Sequence, residues 1–412
     1  MNNKAFWNGD ILWVTSKDMK TKYITESGLK VSAKGAAELQ VLSPGALLIV
    51  VRSGILRHTL PVAINRKPCT INQDLKAISL YLPVMQEFIY DAIAALEKRI
   101  LADYKKTGTT VESIIWDKFT QIMLPLPPLA EQQRIVSQIE SLLQCVNEID
   151  RESETLEKSL SLAKQKILDL AIRGKLVPQD PKDEPASELL KKIKAEKEAL
   201  IKAGKMKRDK HESFIFRGDD NCYHENIGGK NTDITADIPF EIPSTWAWTR
   251  MISLGQTNIG LTYSPSDVTD KGTIILRSNN IQHGKLDFTD LVRVSCPIPG
   301  NIMLGESDIL ICARNGSKSL VGKCAEIPRV HEALSFGAFM AVFRSDFNKW
   351  VFHILNSNYF REYLFDSNST QICQLTQDML KKFLVPFPPL AEQKRIVSQI
   401  EKLFSLLETM RV

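Results

Sequence analysis

The sequence predicts an α+β protein: two mixed α/β globules in tandem repeat, separated by long coiled-coil helices. Three observations carry that expectation. Residues 125–140 read PLPPLAEQQRIVSQIE and residues 386–401 read PFPPLAEQKRIVSQIE, identical at fourteen of sixteen positions at a constant offset of 261. Upstream of each copy, short apolar runs bounded by glycine and polar residues give way to segments of helical period. Downstream of the first copy, apolar residues recur in alternating steps of four and three over five heptads, the pattern of a helix–helix seam.

The elements follow in order. Gly9 opens a short apolar run that ends in Thr15, Ser16 and Lys17, and Gly272 opens a similar one that ends in Arg277, Ser278 and Asn279. Residues 44–54 (PGALLIVVRSG) parallel residues 305–316 (GESDILICARNG): a turn, a buried β-rich run, then an arginine-containing loop. Residues 84–104 and 347–365 are helical in period, and residues 108–111 (GTTV) fall opposite residues 369–372 (STQI). Pro125, Pro127 and Pro128 then hold an extended, stiff elbow, and a helix begins with Glu131 near the positive end of its macrodipole. A PxxP peptide ligand is the other use of such prolines; here they run straight into a helix.

The seam of that helix is Ile135, Ile139, Leu142, Val146, Ile149, Ser153, Leu156, Leu160, Ala163, Ile167 and Leu170. Residues 130–172 would span roughly 65 Å at 1.5 Å per residue. The second copy supplies Ile396, Ile400, Leu403, Leu407 and Met410 in the same phase, which predicts pairing within the chain and leaves the far end of the first helix for another partner. Gly174 and Pro178 stop the helix, residues 186–203 form a charged helix, and a basic run follows at Lys205, Lys207, Arg208 and Lys210. Residues 214–237, polar and with adjacent Gly228 and Gly229, read as a linker, and residues 239–248 (PFEIPSTWAW) open the second globule. The expected partition is therefore a first globule at residues 1–128, a helical spacer at 129–212, a polar linker at 213–238, a second globule at 239–389 and a C-terminal spacer helix at 390–412.

Composition narrows the function. With 43% hydrophobic and 25% charged residues the chain is of ordinary soluble composition, and no apolar run approaches the ~18 residues of a membrane span. The N-terminal stretch lacks a signal-peptide core, and the seven cysteines show no CxxC spacing, so free thiols in a reducing cytoplasm are expected. Residues 187–210 carry nine basic and four acidic side chains, which accounts for the whole formal charge of +5 and leaves the globules formally neutral. Nucleotide-binding glycine loops, nucleophile elbows and HExxH pairs are absent from the sequence. The histidines, at 58, 211, 224, 283, 331 and 353, are dispersed. The chain is expected to catalyse nothing and to hold no metal or cofactor of its own.

Base reading needs paired donors and acceptors: Arg or Lys for guanine, Asn or Gln for adenine. The second globule offers Arg277, Asn279, Asn280, Gln282, His283 and Lys285, then Arg314, Asn315 and Lys318 around Gly316. The first offers Ser16, Lys17, Arg52, Arg57 and His58. Any one of these could be a solvated turn. Their placement after equivalent strands in both repeats favours the loops as a set.

These residues together resemble the specificity subunit of type I restriction–modification systems. The resemblance spans nearly the whole chain. It rests on the duplicated PPLAEQ-RIVSQIE elbow, residues 183–200 (DEPASELLKKIKAEKEAL), residues 242–248 (IPSTWAW) and residues 6–19 (FWNGDILWVTSKDM). It implies two target-recognition domains held apart by antiparallel helices that act as a ruler, each domain reading one half of a bipartite DNA target. Because the globules diverge, the half-sites should differ and the target should be asymmetric. It further implies two methyltransferase (modification) subunits docked on the helices, motor–nuclease (restriction) subunits joining them, and S-adenosylmethionine, ATP and Mg bound only by those partners. A coiled-coil scaffold without sequence reading, or an inactive recombined cassette, are the alternatives. One departure stands out: Trp246 lies 26 residues before Gly272, whereas eight residues precede Gly9, so the first recognition domain is expected to lack about 18 residues at its start.

Overall fold

The computed structural model describes residues 4–106, 108, 111–204, 208–209, 212–366 and 374–410. Most of the expected match between residues 108–111 and 369–372, and Lys205, Lys207 and Lys210 of the basic run, lie outside the described residues. The chain divides into two compact units, Met1–Ser153 and Glu154–Val412.

In the first unit the strand Leu47–Val50 is buried along its whole length, as a continuous Leu-Leu-Ile-Val run requires. It pairs antiparallel with Val62–Asn65 on one side and Leu75–Ile78 on the other. A second sheet places Trp7–Val14 between antiparallel Leu29–Val31 and parallel Cys69–Ile71. The helix Gln86–Ala95 closes the core with Phe88, Ile89 and Ile93.

The second unit repeats this plan. Ile309–Cys312 is antiparallel to Cys324–Glu326 and Met340–Arg344. Thr273–Leu276 lies between antiparallel Val292–Val294 and parallel Leu334–Phe336. The duplication visible over sixteen residues therefore extends to sheet topology, where side-chain identity has been lost. This unit also places Gln256–Ile259 beside Met340–Arg344, and Ala247–Arg250 against Leu384–Phe387 of the elbow.

The polar linker expected at residues 213–238 is corrected. Ser213–Arg217, Tyr223–Ile227 and Lys230–Asp233 form an antiparallel three-stranded sheet. Gly228 and Gly229, both at positive φ, are the two-residue turn between Ile227 and Lys230, a hairpin connection that wants glycine at both positions. Tyr223 and Ile234 pack with Trp248 and Leu384, and the buried Glu225 carboxylate accepts from Arg250 at 2.7 Å and 2.9 Å. Burial alone would raise the Glu225 carboxyl; hydrogen bonds from Arg250 and Ser213 hold it below the ordinary range.

The seam is covered in part. The long helix runs Leu129–Ile172 and the C-terminal helix Leu390–Glu408. Leu160, Ile396 and Ile400 are buried, and Ile135, Ile139, Ile167, Leu403 and Leu407 are half-buried. Leu142, Val146, Ile149 and Leu156 are exposed, Ile149 at 64%, so no helix among the described residues covers the middle of the seam. Within the second unit the two helical segments do run antiparallel: Lys164 pairs with Glu408 at 3.6 Å, while Gln179, beyond the helix end, donates to Glu392 near the start of the other helix.

His353, on the helix Asn348–Leu355, is buried beside Phe404, and burial pushes its imidazole down to about 4. Its folded value lies below its unfolded one, so its contribution is complete above about pH 6.5 and is lost as pH falls toward 4. Glu225, also depressed, loses its contribution at still lower pH. The second unit should therefore lose stability between pH 6.5 and 4, by an amount of order 3 kcal/mol from His353. Thermal melts of wild type and His353→Leu should diverge in slope over that interval.

Candidate nucleic-acid interface

The reading surface of the second unit is built on the turn after Thr273–Leu276. Asn280 is only 1% exposed. Its amide nitrogen donates to the carbonyls of Asp287 and Asp290 at 3.0 Å and 2.8 Å, and its amide oxygen accepts from the Arg277 N–H at 2.9 Å. Asn280 is thus corrected from base reader to the knot that ties the loop. Asn280→Ala should lower the stability of this unit by about 1–3 kcal/mol in urea unfolding, because buried partners are left unsatisfied.

Asp290 also accepts from the side chains of Arg277 at 2.9 Å and Asn279 at 2.6 Å. Asp290 is itself well exposed, so these contacts exchange readily with another anion or a base edge. Beyond the knot, Ile281–Gln282 and Lys285–Leu286 form a hairpin whose two turn residues, His283 and Gly284, both have positive φ. Gln282, His283 and Lys285 are exposed on it. The second loop joins the first directly, since the Asn315 amide donates to Ser278 Oγ at 3.0 Å. Arg314 and Lys318 are exposed, with Arg314 over the ring of Phe339. His283, Lys285 and Lys318 line a groove of about 730 Å³ with Lys164, Lys323 and Arg361. The last three were missed by the sequence reasoning, and only the tertiary fold brings them there. Lys323 is also a brace, donating to the Ile281 carbonyl at 2.8 Å.

In the first unit Lys17, Arg52, Arg57 and His58 are exposed and Ser16 is half-buried. Asp18 braces the Ser16–Lys17 turn: burial would raise its carboxyl, but hydrogen bonds from Gly28 and Thr15 hold it below the ordinary range. Arg52 lies 3.4 Å from Asp74. Arg57 lies 3.8 Å from the buried Glu112, which Lys105 approaches at 2.6 Å.

One arrangement recurs in both units. The N–H groups of Val51 and Arg52 both donate to the Asp74 carbonyl, at 2.8 Å and 3.2 Å, while Asn72 N–H donates to the Val14 carbonyl. The N–H groups of Ala313 and Arg314 both donate to the Phe339 carbonyl, at 2.9 Å and 3.0 Å, while Gly337 N–H donates to the Leu276 carbonyl. Arg52 then faces Ser113 across a strand pair, and Arg314 faces Gln374 across an isolated bridge. Each unit thereby clasps an arginine loop to the end of the equivalent strand through main-chain bonds. Among the described residues, no group of three or more His, Cys, Asp or Glu side chains could hold a metal ion, and no helix is long and apolar enough to cross a membrane.

Comparison with known proteins accords with this geometry. The family model for the type I restriction modification DNA specificity domain matches residues 2–158 and 243–411. The chain is 28% identical over 334 residues to the type I restriction enzyme EcoAI specificity subunit of Escherichia coli, covering 68% of this chain and 53% of that protein. It is 34% identical over 169 residues to the EcoR124I/EcoR124II specificity subunit of Escherichia coli, covering 39% and 40% respectively. The chain thus spans about half the length of these relatives. A chain solved in work on complex assembly and conformational transition of the type I R-M system shares the fold, with a TM-score of 0.62, 17% identity, and coverage of 97% of this chain and 85% of that one. Matched over well more than half its length in two separate copies, the chain belongs to the type I restriction modification DNA specificity domain family.

Proposed function

We propose that the chain is the sequence-specific DNA-binding specificity subunit of a type I restriction–modification complex, with each unit reading one half of a bipartite, asymmetric target. The recognition domains are residues 1–128 and 239–389, the latter carrying the sheet at residues 213–238 with it. Residues 129–212 and 390–412 are the spacer and the docking surface for two methyltransferase subunits, with motor–nuclease subunits joining the assembly. The exposed apolar row Leu142, Val146, Ile149 and Leu156 supports such docking, since an uncovered row of this length on one helix favours a protein partner. The chain itself is non-catalytic. S-adenosylmethionine, ATP and Mg are held by the partners.

The observation that carries this reading is the twice-built clasp, which presents Arg52 and Arg314 on equivalent loops of two divergent globules. The test is a mobility-shift competition with the chain bound to its methyltransferase subunits. Specific binding survives excess random DNA. Binding that is lost to random competitor and falls steeply with salt would leave only an electrostatic scaffold. Mapping methylated adenines in the source genome with and without the gene should show one bipartite motif that disappears on deletion.

A further inference from the structure

The residue whose carbonyl closes each clasp also sets its side chain against the clasped arginine. Met340 N–H donates to the Gly337 carbonyl at 2.8 Å and Leu75 N–H to the Asn72 carbonyl at 3.2 Å, so residues 337–340 and 72–75 are the same tight turn built twice. The third residue of that turn is Phe339 in the second unit and Asp74 in the first. The Asp74 carboxylate lies 3.4 Å from Arg52 Nε and accepts from the Asn72 amide at 3.2 Å. The Arg314 guanidinium instead lies over the Phe339 ring, 5.7 Å from its centroid. One position of the fold thus decides what each arginine touches: a carboxylate in one unit and an aromatic ring in the other.

The two choices leave the arginines differently prepared. A carboxylate occupies the N–H donors of a guanidinium, whereas an aromatic ring attracts the cation without occupying them. Phe336 and Met340, on either side of Phe339 in the chain, are buried in the core under the reading strand, while Phe339 stands 62% exposed outside it. The ring and the arginine therefore face solvent together on the reading surface. Base pairs in a duplex stack about 3.4 Å apart. With Arg314 on a guanine edge, a ring centred 5.7 Å away reaches the neighbouring pair, and the apolar group that the major groove offers there is the thymine 5-methyl.

We propose that Phe339 is a specificity-determining residue of the second unit, its ring packing on the 5-methyl group of a thymine in the base pair next to the one met by Arg314. The inference rests on the DNA-reading function proposed above and adds to it one residue and one chemical group of the target. The first unit has no apolar side chain at the equivalent position, so the contact belongs to one half-site alone.

The test uses the chain bound to its methyltransferase subunits and duplexes of the methylated motif in which each thymine is replaced in turn by uracil, which lacks only the 5-methyl group. Wild type should lose about three- to fivefold in affinity at one thymine, in the half-site that Arg314→Ala affects, as expected for one buried methyl. Phe339→Ala should bind the thymine and uracil duplexes equally at that position and respond like wild type at every other. Phe339→Leu, apolar but smaller, should keep part of the difference, and both variants should melt like wild type because the residue is exposed. The proposal is overturned if no thymine responds, or if Phe339→Ala retains the same thymine–uracil difference. It is also overturned if Phe339→Ala weakens motif and random duplexes alike. In each of these cases a wild-type preference for the motif over random DNA leaves the proposed function standing. Absence of that preference removes both.

Discussion

Trp350→Ala should destabilise the second unit by about 3–5 kcal/mol, with a transition in denaturant separable from that of the first unit. The ring is fully buried in the main core and meets Trp246 edge-to-face at 5.8 Å. Its indole N–H donates to the Pro386 carbonyl at 2.9 Å, inside the elbow strand. Alanine removes the volume and leaves that carbonyl without its donor. Trp350→Phe separates the two contributions, keeping most of the ring while losing the hydrogen bond, and should cost only about 1–3 kcal/mol. If both variants melt like wild type, the elbow is not held by this residue.

The second large effect concerns recognition. Arg314→Ala should relax discrimination at one half-site and Arg52→Ala at the other, each by about 1–3 kcal/mol, roughly 5- to 150-fold in relative affinity. Neither change should alter stability much, because both side chains are exposed and the clasps that carry them are main-chain bonds. The measurement is competitive binding of the methyltransferase-bound chain to targets altered in one half-site at a time. Loss of affinity that is uniform across sequences would instead make these arginines phosphate contacts.

The duplicated elbow, the buried strand runs and the helix boundaries were legible because each follows from local pattern: prolines, continuous apolar stretches and heptads. The sheet at residues 213–238 was not. Its third strand, Lys230–Asp233, is wholly polar and exposed, its other two mix apolar with polar residues over only five positions each, and its main sequence signal, Gly228-Gly229, suits a flexible joint as well as a hairpin turn. The site was legible as loops but not as roles. Asn280 and Asn279 are neighbours of the same type, yet one is buried in a knot and the other exposed, a distinction set by carbonyls seven and ten residues downstream of Asn280. Lys323 joins the groove from the turn before the strand Cys324–Glu326 and Arg361 from a helix surface, and no linear motif marks either.

The knot at Asn280 has a consequence for how such a surface can change over generations. The main chain of the loop is fixed from beneath by the buried Asn280 amide and braced by Lys323 at the Ile281 carbonyl, while the side chains above it at positions 279, 282, 283 and 285 are exposed. Randomising those four positions, with Asn280 kept, should yield mostly well-folded proteins with altered binding preferences. A similar library that includes position 280 should lose a large share of its members to misfolding. Inheritance of shape and innovation in preference are thereby assigned to adjacent residues of the same turn.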